Sequence, residues 1–137
     1  SYDHGAALHG VAVSPDGQYV CIGGEGSVVD GNELRMLAFD GSVLASLPAA
    51  VFDHGASVYS VAWSPDGKYV FMSGGEGTGG YEIRALAFEA VSTTFAEVGA
   101  FDCGPNTIVY AVATPEPATL SLLALGGLGA VVRRRRG

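Results

Sequence analysis

Val61-Ala62-Trp63-Ser64-Pro65-Asp66-Gly67 repeats Val11-Ala12-Val13-Ser14-Pro15-Asp16-Gly17, an offset of 50 residues from Ser14 to Ser64. In both copies an apolar run stops at Ser-Pro-Asp-Gly. Proline there fixes φ at the second position of a turn, and glycine accepts the positive φ that closes it. The chain reverses, and each copy reads as a hairpin, from residues 8–14 into residues 19–22 in the first.

The repeat widens in both directions. Upstream, Asp3-His4-Gly5-Ala6 returns as Asp53-His54-Gly55-Ala56. Downstream, Gly23-Gly24-Glu25-Gly26 returns as Gly74-Gly75-Glu76-Gly77, and Glu33-Leu34-Arg35-Met36-Leu37-Ala38-Phe39-Asp40 as Glu82-Ile83-Arg84-Ala85-Leu86-Ala87-Phe88-Glu89. A third copy begins at Phe101-Asp102-Cys103-Gly104, echoing Phe52-Asp53-His54-Gly55. It continues into Val109-Tyr110-Ala111-Val112-Ala113, echoing Val58-Tyr59-Ser60-Val61-Ala62.

Within a unit, the glycine-rich residues 23–32 lead to a third strand at 33–39, and Asp40-Gly41 turns into a fourth at 43–47. The strands are apolar on both faces: Leu34, Met36 and Ala38 alternate with Leu37 and Phe39. A sheet of that kind must be covered on both sides, and radial stacking of identical four-stranded sheets covers it.

These residues resemble the WD-repeat β-propeller family. His54, four residues before Val58 and ten before Ser64-Pro65-Asp66-Gly67, matches the family's recurrent histidine, strand and turn. His4, Leu8 and Ser14-Pro15-Asp16-Gly17 match it equally. Where the family ends its third strand with Trp-Asp, this chain has Phe39-Asp40 and Phe88-Glu89, and Ile22 and Met72 stand at the family's second-strand serine. The resemblance implies an all-β propeller fragment over 1–113, with units at about 3–52 and 53–101 and a partial unit at 102–113. That is about two four-stranded blades plus one strand.

Two blades and a strand do not close a propeller, which has about 4 to 8 blades. Blades upstream of Ser1 are expected to complete it, ahead of the alternative that identical chains complete one another. The absence of a charged-then-apolar leader before Asp3 fits the same expectation of a longer natural protein.

From Pro115 the composition changes. Pro115-Glu116-Pro117 is followed by residues 118–132 without a charge, then Arg133-Arg134-Arg135-Arg136-Gly137. Fifteen apolar residues give about 22 Å of helix, short of the ~30 Å hydrocarbon core. The arginine cluster holds its end on the cytoplasmic side and its long side chains snorkel to headgroups, so the Pro-Glu-Pro end faces outward. The arrangement over 114–137 resembles the PEP-CTERM sorting signal, found in bacteria that also make exopolysaccharide. It implies a single apolar helix at 118–132, transient insertion in the inner membrane, and an exosortase as partner. That membrane-embedded cysteine transpeptidase would cut near Pro-Glu-Pro and discard the helix, leaving the protein at the cell surface or outside the cell.

Charge narrows the partners. Ahead of Pro115 three basic residues, Arg35, Lys68 and Arg84, face thirteen acidic ones, a body near −10 within an overall −7. Such a surface repels phosphate backbones and excludes nucleic acid as a partner. Cys21 and Cys103 are too few for a disulfide scaffold and read as ordinary thiols.

No catalytic residue, metal site or cofactor is expected. His4 and His54 recur at one repeat position and read as structural, bonding within their own units. Asp16 and Asp66 read as turn residues. Glu25, Asp30, Glu33 and Glu76 in the glycine-rich loops lack any calcium-loop spacing. His9, opposite Tyr59, and Trp63, opposite Val13, break the repeat and are candidates for lining a ligand surface. The expected role is that of a non-enzymatic binding or structural module, with exopolysaccharide or surface proteins as partners. The alternative is a propeller hydrolase or lactonase whose active site lies in blades upstream.

Overall fold

The computed structural model describes residues 2–113. The tail at 114–137, with the expected helix at 118–132, Pro115-Glu116-Pro117 and Arg133 to Arg136, lies outside the described residues. Eight strands form two antiparallel four-stranded sheets in sequential order. The first sheet holds β1 (Leu8–Val13), β2 (Tyr19–Gly24), β3 (Leu34–Phe39) and β4 (Leu44–Phe52). The second holds β5 (Val58–Trp63), β6 (Tyr69–Gly74), β7 (Ile83–Glu89) and β8 (Thr94–Phe101).

Local chemistry sets both first hairpins in the same way. Ser14 N–H bonds to Tyr19 O and Gly17 N–H to Ser14 O, and the second turn repeats this with Ser64, Tyr69 and Gly67. The Ser14 hydroxyl donates to Asp16 at 2.6 Å, Asp16 accepts from Gln18 N–H, and Tyr19 N–H donates back to Ser14 Oγ at 3.0 Å. Gly17 and Gly67 adopt φ +76° and +75°, a region costly for any residue with a Cβ.

The sheets stack face to face, in closest approach along β1 and β5 and in contact again between the outer strands β4 and β8. Cys21, Leu34, Met36 and Ala50 of the first sheet meet Val58, Val61, Trp63, Val70, Met72 and Leu86 of the second. Each large buried side chain among these contributes about 1.5–3 kcal/mol. The close approach of β1 to β5 depends on Gly10, where an added Cβ would lie 3.1 Å from Ser60 Cα. Trp63, the larger residue where unit one has Val13, fills the interface and donates its indole N–H to Ala12 O at 3.2 Å.

Differences from the sequence reading fall at the edges. β4 runs on to Phe52, past the expected end at residue 47, because Pro48 sits on an outermost strand where no ladder donor is needed. Residues 107–113 lie against the second sheet without regular strand pairing. Val109 is buried and donates to Gly74 O, while Val112 exchanges two hydrogen bonds with the Ser60 hydroxyl.

Candidate functional site

The two histidines lie at the start of their units and are buried, His4 at 3% and His54 at 0% exposure. His54 Nε2 bonds to Gly75 O at 2.8 Å, and Arg84 Nε donates to His54 Nδ1 at 3.0 Å. Nδ1 is therefore an acceptor and Nε2–H the donor, which fixes a neutral imidazole. Burial lowers the His54 pKa from its ordinary 6.5, and the neighbouring Arg84 charge acts in the same direction. His4 bonds to Glu25 O at 2.8 Å, while its Nδ1 and the Nε of Arg35, the counterparts of the bonded pair in unit two, are buried without partners.

Two residue types whose structural role sequence reasoning did not anticipate complete this scaffold. Arg84 bonds Glu97 and the Thr78 carbonyl, and its guanidinium lies 5.4 Å from the ring centroids of both Phe52 and Tyr81. It thereby ties the last strand of the first sheet to the second sheet. Glu33 reaches from the start of β3 to accept His54 N–H at 2.8 Å and Gly55 N–H at 3.3 Å; Glu82 accepts Cys103 N–H at 2.8 Å one unit on. The signal was available: Glu33-Leu34-Arg35 returns as Glu82-Ile83-Arg84.

The remaining candidates are similarly engaged. Asp66 repeats Asp16, accepting the Ser64 hydroxyl at 2.6 Å and Lys68 N–H at 3.0 Å. The serine hydroxyl first, and then the backbone amide, lower the pKa of each aspartate. Pro15 and Pro65 are exposed at the turns. Asp30 pairs with Arg35 at 2.5 Å and Glu33 holds backbone amides, so the loop oxygens do not converge. Among the described residues no three His, Cys, Asp or Glu side chains gather as a metal cluster. Cys21 is fully buried, which pushes its thiol pKa upward, away from a reactive thiolate.

A row of aromatic side chains lies where β1 and β5 approach each other. The β1–β2 register passes from Leu8↔Gly24 to Gly10↔Gly23, and the β5–β6 register from Val58↔Gly74 to Ser60↔Ser73. His9 and Tyr59 are the extra residues of two equivalent β-bulges, a device that re-aims a side chain out of the regular pleat. Their ring centroids lie 5.1 Å apart at 43°, and Tyr59 is again 5.1 Å from Tyr110 at 46°. The structure thus assembles three aromatic rings, one per unit, from positions the repeat aligns.

A recess lies between the sheets at the end that carries the two Ser-Pro-Asp-Gly turns. It is a cleft of about 170 Å³ lined by Ser14, Asp16, Tyr19, Trp63, Asp66 and Phe88 among others. Tyr19 and Trp63 meet Phe88 edge-on at 4.9 and 5.9 Å.

With this geometry described, likeness to known proteins is informative. The PEP-CTERM protein-sorting motif matches residues 113–136, and the WD domain, G-beta repeat, matches residues 41–81. A chain in the crystal structure of the mitotic checkpoint complex superposes with a TM-score of 0.60 at 19% identity, covering 82% of this chain and 31% of that one. The crystal structure of Saccharomyces cerevisiae Sqt1 gives 0.56 at 13% identity, covering 81% and 28%. At these identities the likeness is one of fold, the WD40 propeller, and this chain spans about a third of the length of those it matches. No curated protein matches it. The chain carries WD40-type blades followed by a PEP-CTERM motif, which implies processing by an exosortase and sorting to the cell surface.

Proposed function

We propose that this protein is a binding or structural propeller of the cell surface or extracellular matrix. It is delivered by transient insertion of its tail in the inner membrane and by exosortase cleavage near Pro115-Glu116-Pro117, with polysaccharide or surface protein as its partner. One observation carries the reading: a sorting motif follows a repeat whose buried histidine and arginine and whose turn aspartates serve its own scaffold. His54, Arg84, Glu33, Asp16 and Asp66 each hold a turn, a loop or a joint between units. A general base or nucleophile needs a free, convergent partner set, and these groups have committed theirs elsewhere.

The experiment exchanges Pro115, Glu116 and Pro117 for alanine in the natural host and fractionates the cells. The expected result is uncut precursor in the membrane fraction and loss of the released form. Unchanged release overturns the delivery route.

A further inference from the structure

The bulge-mounted row His9, Tyr59 and Tyr110 is a platform without an assigned task. It lies apart from the buried cluster that joins the sheets. His9 is exposed, Tyr59 half-buried and Tyr110 59% exposed; exposed Leu8 adjoins His9, and exposed Ile108 precedes Tyr110 by two residues. The residues sit one per unit, so the row runs across successive units of the repeat.

We infer that this row is a binding site for a neutral polysaccharide, whose successive sugar rings lie against the successive aromatic rings. This rests on the reading of the chain as a surface binding module and specifies the ligand class of that module. The electron-rich face of an aromatic ring attracts polarised C–H groups, and the C–H faces of a pyranose supply them while its hydroxyls remain in water. A row of rings favours a ligand that itself repeats, an extended chain of rings over a single small molecule.

Charge selects among such chains. Bases also stack on aromatic side chains, but single-stranded nucleic acid needs a cationic groove alongside, and the body here carries three basic residues against thirteen acidic ones. The same field disfavours uronate-rich or sulfated glycans. A neutral glycan has no charge to be repelled.

The test is affinity electrophoresis of the full chain in a polyoxyethylene detergent, in native gels cast with hydroxyethylcellulose, with alginate, or with no polymer. A parallel titration uses oligo-dT. The expected result is retardation by hydroxyethylcellulose alone, weakened about tenfold in Tyr59→Ala and in Tyr110→Ala and retained in Tyr59→Phe. Tyr110 is 59% exposed and outside the buried core cluster, and unchanged migration in the polymer-free gel checks the fold of each variant. Absence of retardation overturns the inference, as does retardation of both alanine variants equal to that of the unsubstituted protein. Preferential binding of alginate or oligo-dT overturns it too, by showing that charge does not select. These outcomes leave the delivery route standing, because cell fractionation reads that route independently.

Discussion

His4 and His54 occupy one repeat position, and the structure predicts that they are unequal. Replacing His54 by alanine removes the Nε2 bond to Gly75 O and leaves Arg84 Nε without its acceptor at a site with 0% exposure. A buried group stripped of its partner costs about 1–3 kcal/mol, and the vacated ring volume adds a cavity term, so the expected loss is about 3–5 kcal/mol. In unit one His4 Nδ1 and Arg35 Nε are already without partners, and the lost bond is to the carbonyl of exposed Glu25. His4→Ala also vacates buried volume but orphans no further group, and should cost about 1.5–3 kcal/mol. The gap of ~2 kcal/mol corresponds to roughly 10 °C in Tm for a domain of this size. Urea titration followed by the fluorescence of Trp63, which sits at the sheet interface, measures both variants with a shared m-value check. Equal losses, or a larger loss for His4→Ala, would refute the role given to Arg84.

Other perturbations follow from the same coordinates. Gly24→Ala places a Cβ 2.1 Å from Ala7 O, a backbone atom with no room to yield, and should cost at least about 3 kcal/mol in the same urea assay. Thr93 holds φ +52° despite its branched Cβ, so Thr93→Gly should raise stability by about 1 kcal/mol, read as a higher midpoint. Because the His54 pKa is lowered in the folded state, the unfolded chain takes up the proton first. Stability should therefore decline as pH falls below 6.5, and His54→Gln should remove that limb. Asp16 and Asp66, lowered by their serine hydroxyls, contribute stability that is present above 3.8 and lost as pH falls through their folded values. Glu33 acts oppositely: burial raises its pKa, so its ionisation costs stability as pH rises above 4.5.

The hairpins were legible because their cause is local. Proline and glycine within Ser-Pro-Asp-Gly determine the reversal whatever packs around it, and the 50-residue offset then predicts two similar sheets. The bulges at His9 and Tyr59 were not legible, since strand patterning assumes an unbroken two-residue period and an inserted residue shows only in the pairing. Glu33 was weighed only as loop oxygen and Arg84 only as strand sequence; their roles depend on which loop lies across the joint between units. His9 and Trp63 stood out as breaks in the repeat. The structure separates them, placing Trp63 at 6% exposure within the interface and leaving His9 at the exposed edge.

Intact-mass and C-terminal peptide analysis of the protein recovered from the natural host tests the central claim most directly. A sorted propeller leaves the cell as a chain ending near Pro115-Glu116-Pro117, without residues 118–137. A soluble cytoplasmic protein retaining Arg133 to Arg136 would contradict the account.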